Sequence, residues 1–364
     1  MLLLRVEIVD NKALLGARAS AVLFGKPMMD ARQRLLEAWL PPALGQAHVH
    51  QGWGEVGAGH LQPASSDASF RRYFRWSDGR HSLIIMDAPP EQEDVRPFIR
   101  IAGLLAAAGV KTPQILAADP EQGFLLLEDL GARTYLESIQ AGVSAAQLER
   151  MFAGAITTLV RWQASSRPGE LPDYDEAVLR RELQLFPDWF VERHLQREWS
   201  AAQQADWDAL CRLLLDSHLA EKRLFVHRDY MPRNLMTAEG EPGVLDFQDA
   251  LYGPASYDVT SLFADAFFNL PLAERESWIR RYWQQARAAG IDLPEQFEVF
   301  LGQSRLMGVQ RHLKVLGIFA RIRYRDGKPR YLGDAPRFIL YLREACASDS
   351  RLAPLTRLLD SLGL

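Results

Sequence analysis

Val226-His227-Arg228-Asp229-Tyr230-Met231-Pro232-Arg233-Asn234, followed after a short gap by Val244-Leu245-Asp246-Phe247, is the stretch on which the reading of this chain turns. One carboxylate, Asp229, stands five residues before an amide, Asn234, and a second, Asp246, stands twelve residues after it. An apolar run precedes each motif. Leu224-Phe225-Val226 and Gly243-Val244-Leu245 read as short strands that deliver the two carboxylates at their ends. A lone Asp or Asn in a loop usually caps a turn. Three such groups at this spacing, beside two strands, point instead to one site built from hard oxygen donors.

Upstream, Arg72 to Trp76 and Ser82 to Met86 read as two strands joined by Ser77-Asp78-Gly79-Arg80, because Asp-Gly favours the positive φ of a hairpin turn. A helix is expected from about Val95 to Ala108, ended by Gly109, then a short strand pair over 114–118 and 123–128. Met28-Met29-Asp30 opens another helix, with Asp30 as N-cap and Leu35, Leu36, Trp39 and Leu40 on one face, ended before Pro41-Pro42. Residues 41–64, rich in Gly, Pro, His and Gln, read as a loop. Met1 to Pro27 shows neither periodicity nor the order of a signal peptide, and is expected to be a poorly ordered extension, as an upstream start of translation would leave it.

From Gly131 the pattern turns helical, over roughly 144–164, 175–195 and 203–220, and again from Asp258 to the end, with breaks near 290–294 and 326–329. The expected fold class is therefore α+β and bilobal. A small antiparallel-sheet N-lobe (28–130) precedes a larger, mainly helical C-lobe (131–364).

Forty-two basic against forty-six acidic side chains leave a net charge of −4, which offers no broad field for nucleic acid or an anionic membrane. The two cysteines, Cys211 and Cys346, lack C-x-x-C spacing; neither a disulfide framework nor a zinc site is expected, and reduced thiols suit a cytoplasmic protein. No run approaches the roughly eighteen apolar residues of a membrane span. Nothing in the sequence calls for an obligate protein partner.

The His227-Arg228-Asp229 to Asn234 spacing, with Asp246-Phe247, resembles the H-R-D-x-x-x-x-N catalytic loop and D-F-G-type metal site of protein-kinase-like phosphotransferases. The resemblance implies that Asp229 accepts the proton of an attacking hydroxyl, while Asn234 and Asp246 hold Mg2+ against the phosphates of ATP. His227 and Arg228 would support the loop. Leu125 to Gly131 is the candidate connector to the adenine edge, with Glu128 and Leu130 offering backbone groups; an ordinary core strand and turn is the other reading. Ser65-Ser66-Asp67-Ala68-Ser69-Phe70-Arg71-Arg72 occupies the place of a phosphate-covering loop but contains no glycine. The hydroxyls of Ser65, Ser66 and Ser69 could bind phosphate there, and a polar turn without a ligand fits equally. The following strand, Leu83-Ile84-Ile85-Met86-Asp87, lacks the lysine that such enzymes carry. Arg71 or Arg72 could supply the missing charge, with Glu91 or Glu93 opening the next helix; two solvated arginines are the alternative.

Together with Tyr252-Gly253-Pro254 and Tyr257-Asp258, these motifs resemble the aminoglycoside phosphotransferase and choline kinase superfamily. The stretches 65–74, Met86-Asp87-Ala88-Pro89-Pro90, 227–234 and 245–250 are most similar to bacterial anomeric kinases of N-acetylmuramate and N-acetylglucosamine in cell-wall recycling. That resemblance implies ATP-dependent formation of a sugar 1-phosphate in the cytoplasm, with Asp258 a structural support of the catalytic loop. Eleven residues between Asp246 and Asp258, with no A-P-E after them, leave little chain for a peptide platform and favour a small-molecule substrate. Arg305, Arg311, His312, Lys314, Arg321, Arg323 and Arg325 make a late basic segment. There Arg305 and His312 could share a helix face and meet an acidic substituent such as a lactyl carboxylate, or the segment could be a solvated face or hold structural ion pairs with the C-terminal acids. An aminoglycoside- or choline-type phosphotransferase, or a catalytically dead nucleotide-binding module, are the competing readings.

Overall fold

The computed structural model describes residues 31–53, 59–65, 70–238, 240–264 and 268–364, the side chains of His50 and Ser65 excepted. The expected disordered extension and the N-cap Asp30 lie outside these residues. The first helix, α1 (Ala31–Gln51), runs straight through Pro41 and Pro42, where the sequence reading ended it. Proline removes a helix hydrogen bond and crowds the preceding turn. Tertiary burial overrides that cost: Leu36, Ala43 and Ala47 are buried in one cluster with Trp76, Leu83, Ile85, Leu116, Phe124 and Leu126 of the sheet.

The segment read as a loop also contains a strand, β1 (His60–Ser65). It is followed by β2 (Arg72–Ser77), β3 (Ser82–Asp87), α2 (Arg96–Ala107), β4 (Ile115–Asp119) and β5 (Phe124–Glu128). The strands form one antiparallel sheet in the order β1-β2-β3-β5-β4. Pro63 is tolerated because β1 is an edge strand whose register shifts between Pro63 and Ser65. The β2–β3 turn has Gly79 at φ 86°, and Asp78 Oδ1 accepts the N–H groups of Arg80 and His81. Alternation divides the inner strands between two cores. Leu83, Ile85, Phe124 and Leu126 face α1, whereas Met86, Leu125 and Leu127 pack with Phe98 and Leu105 of α2 and the helical lobe. Both faces are covered, which is why β3 and β5 read as unbroken apolar runs.

The remainder is mainly helical: α3 (Tyr135–Gly142), α4 (Ala145–Ala164), α5 (Glu176–Leu185) continuing as a π-helical turn over Phe186–His194, and α6 (Ala201–Ala220). Ser144 with Gln147 and Ser200 with Gln203 form reciprocal capping boxes that start α4 and α6. Four short strands follow, β6 (Arg223–Val226), β7 (Leu235–Met236), β8 (Gly243–Val244) and β9 (Leu251–Pro254), paired β6–β9 and β7–β8. Then come α7 (Tyr257–Phe263), α8 (Leu272–Ala288), α9 (Phe297–Asp326), α10 (Ala335–Ser348) and α11 (Ala353–Leu362). The central helix is α9, buried along most of its length. A Cβ at its Gly317 would stand 2.3 Å from Leu185 O, so only glycine lets α9 meet α5 where that helix widens. The architecture is a bilobal, protein-kinase-like α+β fold.

Candidate active site

β6 delivers His227, Arg228 and Asp229, and the 3-10 turn Pro232–Asn234 returns the chain beside them. The β7–β8 hairpin, in register Leu235↔Val244, then brings Asp246 back to Asn234. Asn234 Nδ2 donates to Asp229 O at 2.9 Å and to Asp246 Oδ2 at 3.3 Å, while Gln248 Nε2 donates to Asp246 Oδ1 at 2.9 Å. Asp229, Asn234 and Asp246 line one polar cavity of about 460 Å³, together with Arg71, Glu93 and Arg233.

The 227–234 loop is fixed from behind. Asp258, fully buried on α7, accepts the N–H of His227 at 2.7 Å and of Arg228 at 3.0 Å. Burial pushes its carboxyl up to about 7, against the opposing pull of those N–H groups and Arg311. His227 Nδ1 accepts the Asp229 N–H at 3.3 Å, so Nε2 carries the proton and donates to Leu245 O at 3.0 Å. Burial holds this imidazole down at about 4, hence neutral, and it ties the loop of Asp229 to the loop of Asp246. Two non-glycine residues here take positive φ, Arg228 at 76° and Asp246 at 63°. Such conformations cost on the order of 1–3 kcal/mol each and persist only where the surroundings fix them.

Those surroundings include a buried ionic cluster that the sequence did not reveal. Arg228 Nη2 meets Glu182 Oε1 at 2.6 Å, Lys314 Nζ meets the same oxygen at 2.8 Å, and the Tyr174 hydroxyl donates to Oε2. Arg311 Nη1 donates to Arg228 O at 3.1 Å. The late basic segment is thus in part a clamp: Arg311 and Lys314 face inward from α9, Arg311 on the backbone of Arg228 and Lys314 on its partner Glu182.

The other expected site residues are placed as follows. Arg71 Nη2 pairs with Glu93 Oε2 at 2.9 Å within the cavity. Glu93 sits in the turn ahead of α2, which begins at Arg96 rather than at Glu91 or Glu93. Arg72 instead reaches Asp87 of β3, Nε to Oδ2 at 2.9 Å, and is not among the residues lining the cavity. Ser66 and Ser69 lie outside the described residues, as does the Ser65 side chain. Glu128, the last residue of β5, donates its N–H to Gln114 O at 2.8 Å, and Leu130, two residues on, packs over Gly243; neither lines the cavity.

Arg305 and His312 do share one face of α9, but the expectation that they meet a substituent beside Asp229 is corrected. They line a separate, smaller pocket with Arg275 and Tyr341, which Asp229 does not reach. Arg305 is closed on Glu276 Oε1 at 2.5 Å, and His312 stacks on Tyr341 at 4.9 Å and lies 3.3 Å from Ala264 O. Heptad spacing fixes a shared face and leaves open which way that face turns. Cys211 is buried and Cys346 half-buried, both as free thiols. Among the described residues no helix is long and apolar enough to cross a membrane.

Comparison with known proteins agrees with this geometry. The chain is 57% identical over 333 residues to an N-acetylmuramate/N-acetylglucosamine kinase of Pseudomonas aeruginosa, covering 92% of this chain and 97% of that one. The fold is similar to that of a choline kinase from Streptococcus pneumoniae, with TM-score 0.55, 13% identity, and 78% and 94% of the two chains covered. It is likewise similar to an aminoglycoside phosphotransferase in ternary complex with AMP-PNP and hygromycin B, with TM-score 0.54, 16% identity, and 84% and 99% covered. Residues 60–294 match the model of the phosphotransferase enzyme family, a span that includes the sheet, the cavity and both motif loops; the chain belongs to that family.

Proposed function

We propose that this chain is an ATP- and magnesium-dependent kinase acting on the anomeric C1 hydroxyl of N-acetylmuramate, N-acetylglucosamine or both, yielding sugar 1-phosphates for cell-wall recycling in the cytoplasm. The observation that carries the proposal is the convergence of Asp229, Asn234 and Asp246 on one cavity, in a chain so close in sequence to a kinase of those sugars. Asp229 takes the proton of the sugar hydroxyl as its oxygen attacks the γ-phosphorus; a new P–O bond forms, the bond to the bridging oxygen breaks, and ADP leaves. The neutral His227 holds the Asp229 backbone, so the carboxylate is aimed before the substrate arrives. The residues fit magnesium: Asn234 spends its N–H groups on Asp229 O and Asp246 Oδ2, leaving its carbonyl oxygen beside a carboxylate, a hard donor set. Held by Asn234 and Asp246, the ion would neutralise charge on the phosphates.

Arg71 lines the cavity, paired with Glu93, and would supply the cation that the absent β3 lysine leaves wanting. Arg71→Ala is expected to lower kcat/KM for ATP by about 10- to 100-fold, the loss of one charge-assisted phosphate contact. Arg72→Ala should change it far less, since Arg72 is committed to Asp87. Steady-state kinetics with ATP varied decide this, and equal effects of the two substitutions reject the role of Arg71. The proposal as a whole is tested by ADP release with N-acetylmuramate, N-acetylglucosamine, choline and kanamycin as acceptors, and by phosphorus NMR of the product. Turnover with the two sugars and an anomeric phosphate signal are expected; turnover confined to choline or kanamycin, or a phosphate at another hydroxyl, rejects it.

A further inference from the structure

An acidic substituent on the acceptor needs a cation close to Asp229, and Arg305 is elsewhere, paired with Glu276 in another pocket. Among the described residues, the cations lining the cavity that holds Asp229 are Arg71 and Arg233. They belong to opposite lobes. Arg71 immediately precedes β2 and pairs with Glu93. Arg233 is carried by the catalytic loop itself, in the 3-10 turn between the base and Asn234. Pro232 opens that turn with its φ fixed by the ring, and Asn234 closes it with bonds to Asp229 O and Asp246, so the backbone of Arg233 is held beside the base.

The remaining charges on the lining are Asp229, Asp246, Asp249 and Glu93, all acidic. A carboxylate brought in by the acceptor meets repulsion from them unless a cation on the acceptor side receives it. We infer that Arg233 is the specificity residue that admits an acceptor bearing a carboxylate, by pairing its guanidinium with the lactyl carboxylate of N-acetylmuramate. Guanidinium suits this task because its planar fork matches a carboxylate in two parallel, charge-assisted hydrogen bonds. The inference rests on the amino-sugar kinase reading above, and deepens it by naming what separates the acidic sugar from the neutral one.

The test is a ratio. kcat/KM is measured for N-acetylmuramate, for its uncharged lactyl amide and for N-acetylglucosamine, with the wild-type chain, Arg233→Met and Arg233→Lys, and thermal unfolding follows folding in each. The wild type is expected to favour the acid over the amide, and Arg233→Met to lose about 10- to 100-fold of that preference. Arg233→Lys keeps the charge without the fork and should retain part of it. An undiminished preference in Arg233→Met, or a parallel loss on all three acceptors, overturns the assignment, the latter because it marks a structural or phosphate-binding role. Should Arg233→Met fail to fold, a preference in Arg233→Lys equal to that of the wild type overturns it instead. A wild type that turns over both sugars without preferring the acid sinks Arg233 alone; a wild type that turns over neither sinks the sugar-kinase reading beneath it.

Discussion

Asp229→Asn is expected to lower kcat by about 10²- to 10⁴-fold with little change in the KM for ATP, the signature of losing a general base rather than a binding group. The substitution is clean for a structural reason. The hydrogen bonds that fix residue 229 use its backbone: its N–H goes to His227 Nδ1 at 3.3 Å and its carbonyl receives Asn234 Nδ2 at 2.9 Å. Asparagine has the same shape and disturbs neither, so the loop should persist while the proton acceptor is lost. Unchanged thermal unfolding alongside a collapsed kcat is the expected pair of measurements. A variant that folds normally and keeps kcat within about tenfold of the wild type removes Asp229 as the base. The same variant also addresses the binding-module alternative, since a module without catalysis has no kcat for the substitution to lower.

The motif residues were legible because their geometry is local. Three short strands and a 3-10 turn carry Asp229, Asn234 and Asp246 to one cavity, and β6, β8 and the turn are signalled by an apolar run or a proline nearby. The family resemblance points to Asp258 as a support, and its buried carboxyl accepts the N–H groups of His227 and Arg228. What failed was decided over long range. α1 crosses two prolines because Leu36, Ala43 and Ala47 find the sheet, a fact of packing that local propensity cannot contain. β1 hides behind Pro63 for a related reason: only its place at the sheet edge makes that proline acceptable. Arg305 and His312 do share one face of α9, yet two residues within a turn of them, Arg311 and Lys314, are the ones that meet Arg228 O and its partner Glu182. Periodicity gives the face, and the rotation of α9 against α5 and α7 gives the partner.

That partner, Glu182, is where the second large effect is expected. Glu182→Gln should destabilise the fold by about 3–5 kcal/mol, because it takes the shared carboxylate from the buried Lys314 and the half-buried Arg228 and leaves two neighbouring cations without it. It should also depress kcat, since Arg228 holds a left-handed backbone, φ 76°, immediately before the proposed base Asp229, and its guanidinium is anchored at 2.6 Å on this carboxylate. Adding Lys314→Met to Glu182→Gln removes one of the two stranded cations, so the double variant should be more stable than Glu182→Gln alone; that non-additivity is the mark of a shared network. The pH dependence has a definite sign. Burial works against the charge on Glu182, but Lys314 and Arg228 outweigh it and hold the carboxyl at about 2, below the ordinary 4.5. The unfolded chain therefore binds the extra proton between those limits, so this stabilisation is complete above about 4.5 and is lost as pH falls through about 2. Urea unfolding across that range should show a steeper acid loss in the wild type than in Glu182→Gln. A variant within about 1 kcal/mol of the wild type at neutral pH, with the same acid slope, would mean that the clamp on Arg228 contributes nothing.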